Sequence, residues 1–311
     1  MRILALLAAL AIAMPAHAAD KMTLLLEWYV NPDHGPIIVA QELGYFADEG
    51  LEVEIVAPAD PSAPPKLVAA GKADLAISYQ PQVHLQVHEG MPLKRVGTLI
   101  ASPLNCLMVR DEGPVKTIAD LKGRKVGYSV AGVEEAVLKA MLAKNGMSMD
   151  DVEMVNVNWS LAPSVMSGQV DAVIGAYRNV ELNQMAIEGV KGRCFFVEEE
   201  GAPSYDELIY VAHADTMDKD KIARFLSATE RAMQYIVNHP QKSFEIYSGT
   251  AKELQDELNK RAWFDTISRF ALRPAALDAG RYERFEEFLL EYGLIKEKRP
   301  VADFAIDVTA K

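Results

Sequence analysis

The chain has 311 residues, half of them hydrophobic, with 32 Lys+Arg against 44 Asp+Glu and a formal net charge of -12. A mixed composition with that much apolar material supports a substantial core, in one large domain or two of ordinary size, and argues against disorder. The acidic field excludes nucleic acid and anionic membrane surfaces as natural partners.

The first elements concern export rather than fold. Met1-Arg2 is a short basic region, residues 3–14 are apolar, and Ala16-His17-Ala18 supplies small residues for cleavage after Ala18. The apolar run is shorter than the roughly 20 residues that span a bilayer, so a signal peptide over 1–18 is expected, with an uncleaved anchor as the alternative. No cysteine follows the cleavage position to carry a lipid. The mature protein is expected in the periplasm if its host has two membranes.

Residues 22–28 read as a buried strand, followed by the polar loop Tyr29-Val30-Asn31-Pro32-Asp33. A helix begins near Asp33 or His34, with Pro36 in its first turn, and ends at Gly44. A second strand covers 52–56. Beyond a Pro-rich connection lies a short pattern that recurs later in the chain. Its first copy is Gly71-Lys-Ala-Asp74-Leu75-Ala76-Ile77, running on to Ser78-Tyr79-Gln80. Its second is Gly168-Gln-Val-Asp171-Ala172-Val173-Ile174, running on to Gly175-Ala176-Tyr177. Each reads as a helix cap, a turn, a buried strand and an exit that presents a tyrosine.

Between the copies the pattern predicts a strand over 93–99, a glycine turn and strand ending near Val130, a helix over 133–144 and a strand over 152–157. After the second copy come a helix from Val180 and a strand over 193–197. From Leu208 to Ala212 the chain re-enters an apolar run and is then helical, with helices over 219–238, 251–264 and 277–292. Alternating strands and helices predict an α/β fold with open parallel-type sheets and helices on both faces. Crossovers near 101–106 and 198–205 divide the chain into lobe 1, residues 19–102 plus 204–311, and lobe 2, residues 103–203.

Ligands of open α/β sheets sit beyond the carboxyl ends of the strands. The exits here hold Trp28, Tyr79, Trp159 and Tyr177, with Asn31, His34, Gln80, Asn179 and Glu181, and they are poor in lysine and arginine. An anion site would need such cations or helix-terminal donors. The set suits an aromatic ring that carries hydrogen-bonding groups.

Enzyme signals are weak. Gly127-Tyr128-Ser129-Val130-Ala131 lacks the second glycine of a nucleophile elbow, and a serine that caps the next helix accounts for it better. His84 and His88 are spaced for one helix face, yet a third metal ligand is missing, so a solvated face is expected and no metal or cofactor. For Cys106 and Cys194, two buried free thiols are preferred over a bridge.

The run Leu-Leu-Leu-Glu-Trp28-Tyr-Val-Asn31-Pro-Asp-His34, with Asp-Glu-Gly50-Leu after it, resembles the thiamine-pyrimidine family. Asp120-Leu-Lys-Gly-Arg-Lys-Val-Gly127 and the segment from Gly168 to Tyr177 extend the match over nearly all of the mature chain. This family includes ThiY-like solute-binding proteins of ABC importers and the fungal pyrimidine synthases. The resemblance implies a two-lobed type II periplasmic binding protein whose crossovers form a hinge. Its ligand would be hydroxymethylpyrimidine or formylaminopyrimidine, and it would pass this to a permease and its ATPase as a monomer. Carried over by position, Trp28 and Tyr177 would contact the ring faces and Glu181 its amino group and ring nitrogen. Asn31, His34, Tyr79 and Asn105 would line the cleft, with Gln80 beside Tyr79. The synthases carry a lysine after the strand equivalent to 75–77 and a histidine shortly beyond it, where this chain has Ser78 and Gln82. Their cysteine-rich run is also absent, which points to binding rather than catalysis. A carrier of another solute (alkanesulfonate, nitrate or a riboflavin-like ring) and a diverged synthase are the alternatives.

Overall fold

The computed structural model describes residues 18–130 and 132–310. The signal-peptide reading over residues 1–17 lies outside them. The strands, in chain order, are β1 Asp20–Leu25, β2 Leu51–Val56, β3 Leu75–Ser78, β4 Leu93–Ile100, β5 Asn105–Arg110, β6 Arg124–Tyr128, β7 Val152–Asn156, β8 Ala172–Tyr177, β9 Gly192–Phe196 and β10 Leu208–His213. The helices are α1 Gly35–Glu42, α2 Tyr45–Asp48, α3 Pro64–Ala69, α4 Gln80–His88, α5 Val133–Lys144, α6 Leu161–Ser167, α7 Glu181–Ile187, α8 Lys219–Asn238, α9 Pro240–Gly249, α10 Glu257–Thr266, α11 Ala279–Glu291 and α12 Val301–Phe304.

These strands form two five-stranded sheets, ordered β2-β1-β3-β10-β4 and β7-β6-β8-β5-β9. The sheets are built alike. In each, four strands share one direction, and the strand that arrives from the other lobe, β10 or β5, inserts antiparallel to both neighbours. The expected α/β fold of open sheets is found, and the one antiparallel strand makes each sheet mixed. A strand's hydrophobic pattern carries no sign of its direction, and only the crossover decides it.

Both faces of each sheet are covered, and the alternation along single strands shows how. Leu24, Ile77 and Tyr210 enter one core cluster, while their neighbours Leu25, Ala76 and Ile209 enter another. In the second sheet Leu107 and Val109 feed one cluster, and Cys106 and Met108 the other. Two-sided burial explains why these strands read as continuous apolar runs. α8 seals lobe 1 with Ile222, Phe225, Leu226, Thr229, Met233 and Ile236 at helical spacing, and Asp218 caps it by accepting from the Lys221 N–H. α11 serves both lobes, since Tyr282 joins a lobe 1 cluster while Phe285, Phe288 and Leu289 pack into the lobe 2 core.

The repeated pattern has a common mechanical role. Gly71 and Gly168 adopt positive φ at the ends of α3 and α6, a conformation that glycine reaches without a Cβ penalty. Asp74 then accepts the Thr23 N–H at 2.8 Å, and Asp171 the Lys125 N–H at 3.2 Å, each tying the new strand to its parallel neighbour. Both aspartates precede their strands, so they stand at the sheet ends away from Tyr79 and Tyr177.

Two expectations fail here. Cys106 and Cys194 form a disulfide rather than two free thiols, because β5 and β9 are adjacent and bring the Cα atoms to 5.5 Å. His84 and His88 are not on a solvated face. Nδ1 of His84 lies 2.6 Å from Glu286 and Nε2 of His88 lies 3.0 Å from it, at the buried contact of α4 with α11. Burial holds the His84 imidazole below its ordinary pKa.

Candidate ligand-binding cleft

The ends of β1, β3, β6 and β8 and the two crossovers converge on one cleft of about 560 Å³ counted to its mouth. β1 stops at Leu25, earlier than the apolar run suggests, and the released residues Glu27 and Trp28 turn into the cleft. Asn31 fixes the next turn. Its Oδ1 accepts the Asp33 N–H at 2.8 Å, and its own N–H donates to Nδ1 of His34 at 3.2 Å. That acceptor role leaves the ring hydrogen on Nε2, which reaches both oxygens of Glu27 at 3.0 Å. His34 thus orients a carboxylate that faces the cleft.

Three further glutamates share one arrangement. Glu134 accepts the Ser129 N–H at 2.7 Å, beyond β6. Glu181 accepts the Tyr177 N–H at 2.7 Å, at the end of β8. Glu207 accepts the N–H groups of Leu104 and Asn105 at 2.6 and 2.9 Å, and so joins the two crossovers. Burial pushes Glu134 up to about 8 and both Glu181 and Glu207 up to about 7, against the backbone hydrogen bonds that favour ionisation. Near neutral pH these carboxyls hold protons in part, and can both donate and accept. Tyr177 Oη sits 3.4 Å from Glu207. Asn105 accepts the Gly175 N–H at 2.9 Å. Gly175 has φ of 92°, and any Cβ there would collide with the Glu134 carboxyl.

Of the expected site residues, Trp28, Asn31, Tyr79, Asn105, Tyr177 and Glu181 line the cleft. His34 and Gln80 do not. His34 is fully buried behind Glu27, whereas Gln80 accepts the Asp206 N–H at 2.8 Å and lies 3.3 Å from Nε2 of His84. Its amide is consumed in joining α4 to the returning crossover. Sequence reasoning missed Glu27, Ser129, Glu134, Gly175 and Glu207 as lining groups. Ser129 does not cap α5, whose cap position is Gly132, and its buried hydroxyl has no partner among the described residues. No lysine, arginine or histidine is among the lining residues, and the titratable groups beside Ser129 are carboxyls and tyrosines. Among the described residues no group of three or more His, Cys, Asp and Glu is arranged to hold a metal ion.

The two lobes are in contact across the cleft. Asn179 Nδ2 donates to Asp33 Oδ1 and lies equally near Thr266 Oγ1, at 2.7 Å each, and Asn183 Nδ2 donates to Asp265 at 2.7 Å. At the mouth, Trp159 of lobe 2 meets Trp28 of lobe 1 with ring centroids 4.2 Å apart. The conformation is closed.

A family model described as NMT1/THI5 like matches residues 31–243, from the Asn31 turn through α8. The chain belongs to the NMT1/THI5-like family. Within reach of this family assignment is a Haemophilus influenzae protein named for thiamine biosynthesis, 50% identical over 300 residues, which are 96% of each chain. The formylaminopyrimidine-binding protein of Halalkalibacterium halodurans is 35% identical over 244 residues, 78% of this chain and 73% of that one. More distant is the 4-amino-5-hydroxymethyl-2-methylpyrimidine phosphate synthase of Schizosaccharomyces pombe, 27% identical over 265 residues, 82% of this chain and 76% of that one. Among solved structures, the alkanesulfonate-binding protein SsuA of Xanthomonas axonopodis superposes with a TM-score of 0.74 at 15% identity, covering 94% of this chain and 99% of that one. The shared fold is that of periplasmic binding proteins. Where the synthases are expected to carry lysine and histidine, this family member pairs Ser78 Oγ with Gln82 at 2.9 Å in a buried, uncharged hydrogen bond.

Proposed function

We propose that the protein is a solute-binding protein of an ABC importer that encloses a thiamine pyrimidine precursor, hydroxymethylpyrimidine or formylaminopyrimidine, and delivers it to a permease. The observation that carries this reading is a cleft whose aromatic faces, Trp28, Tyr79 and Tyr177, are combined with carboxyls of raised pKa and no lining cation. An aminopyrimidine edge offers a donor beside an acceptor, and a carboxyl that is part protonated answers both. Stacking on each aromatic adds about 0.5–1.5 kcal/mol beyond area burial. Identity to a formylaminopyrimidine-binding protein supports the same ligand class.

Binding rather than catalysis is our reading, supported by the Ser78–Gln82 pair and by a cleft without a lining histidine or lysine. We place the protein in the periplasm, as a monomer, with lobe limits near residues 102 and 204. No described helix is long and apolar enough to cross a membrane. Calorimetric titration with hydroxymethylpyrimidine, its formylaminomethyl analogue and thiamine tests the proposal. Binding at about micromolar affinity or tighter by one of the pyrimidines supports it, and silence toward all three rejects it.

A further inference from the structure

In open α/β folds the free N–H groups at strand exits and helix starts are what hold a bound anion. In this cleft the protein's own carboxyls already occupy them. The N–H groups of Ser129, Tyr177, Leu104 and Asn105 donate to Glu134, Glu181 and Glu207 at 2.7, 2.7, 2.6 and 2.9 Å. The Gly175 N–H is taken by Asn105. These donors come from the exits of β6 and β8 and from the forward crossover, which together form the lobe 2 wall.

The nearest cation is committed elsewhere. Arg178 follows Tyr177 directly, but its guanidinium is held by Glu198 at 2.8 and 2.9 Å and by the carbonyls of Leu104 and Asn105 at 3.2 and 3.0 Å. It also lies 3.9 Å from the centroid of Phe196, on the far side of the wall. Glu27 adds a fourth carboxyl from lobe 1. An entering phosphate monoester, which carries about 1.5–2 negative charges near neutral pH, finds its donors occupied and no countercharge.

We propose that Glu134, Glu181 and Glu207 make this cleft selective against anions, so that it accepts the free aminopyrimidine and rejects the phosphate ester of the same ring. This deepens the proposed function and rests on it. The family contains synthases named for that phosphate ester, so the distinction separates two molecules that share one ring. The selectivity is assigned to the carboxyls that cap the backbone. The same groups meet the amino group and ring nitrogens of the free base, for which a carboxyl can accept or donate. The raised pKa values of the three groups agree with this second role.

The test is titration calorimetry of the purified protein at about pH 8, with 4-amino-5-hydroxymethyl-2-methylpyrimidine and separately with its phosphate. The free base is expected to bind at least a hundredfold more tightly than the ester. The double variant E134Q/E207Q keeps side-chain acceptors for the backbone N–H groups and removes the negative charge that the two carboxyls carry at this pH. It is expected to narrow that ratio tenfold or more, with a melting curve to establish that it folds, and E134Q alone serves if it does not. An ester that binds within tenfold of the free base overturns the inference and leaves the proposed function standing. An unchanged ratio in the folded variants also overturns it. Failure of the free base to bind rejects the proposed function, and the inference with it.

Discussion

Replacing Asn179 by alanine isolates the contribution of closure to binding, because Asn179 touches the opposite lobe and does not line the cleft. Its Nδ2 lies 2.7 Å from both Asp33 Oδ1 and Thr266 Oγ1, and the side chain is 2% exposed. A hydrogen bond to a charged group contributes about 1.5–3 kcal/mol net. Burial raises Asp33 to about 6, so above that pH the acceptor is an ionised carboxylate with Thr266 as its remaining cross-helix partner. If the ligand-free protein is mainly open, the whole loss falls on the closed state, and the dissociation constant rises about 10- to 150-fold. Asn183→Ala is the control. It removes the solvent-facing bond to Asp265, for which less than about 1 kcal/mol, or fivefold, is expected. Titration calorimetry measures both variants, and small-angle scattering reports whether ligand still compacts them. Wild-type affinity in Asn179→Ala, with unchanged compaction, would refute the reasoning that these bonds hold the lobes together.

Four other outcomes are expected. Glu134, Glu181 and Glu207 have native pKa values above the 4.5 of an unperturbed carboxyl, so the native state binds more protons and stability falls as pH rises through 7 and 8. From about pH 6.5 to 8.5 the closed protein should lose about 3–4 kcal/mol, read as a falling melting temperature, and Glu134→Gln should flatten the slope. His84 does not oppose this, since its depressed pKa acts only below the ordinary histidine range. Reduction of Cys106–Cys194, which closes a separation of 88 residues, should lower the melting temperature, with about 4–5 kcal/mol as the chain-entropy limit. An unshifted melt with reduction verified by mass would count against it. Gly175→Ala should cost about 1–3 kcal/mol of stability and weaken binding as Glu134 is displaced, seen by melting and titration. Trp28→Ala and Glu181→Ala should each weaken binding at least tenfold in a folded protein, and wild-type affinity in both would remove them from the site.

What could be read from the sequence depended on distance along the chain. The Gly-x-x-Asp strands were legible because cap, turn and strand are local, and their tyrosines proved to face the cleft. Trp28, Asn31 and Glu181 were legible as polar or aromatic breaks at the ends of apolar runs. Glu27 and Glu207 offered the same signal, a carboxylate embedded in a buried run, but their meaning lies in partners far away. Glu207 meets Leu104, 103 residues back. His34 and Gln80 sit beside lining residues and were read with them, yet their side chains point behind the wall. His84 and His88 have helical spacing that suits solvent or core equally, and only Glu286, about two hundred residues on, decides between them. Strand direction in the sheets was hidden for a related reason, since crossovers set it and side-chain patterns do not.

α11 limits how the molecule can move. Tyr282 is anchored in one lobe, and Phe285, Phe288 and Leu289, within two turns, in the other. Packed interiors do not stretch, so neither lobe can slide along this helix or lift away from it without opening a void. What remains is rotation, with α11 close to the axle. The lever is then longest at the mouth, where Trp28 and Trp159 part. A reporter pair placed across the mouth will register opening long before any probe in the core does.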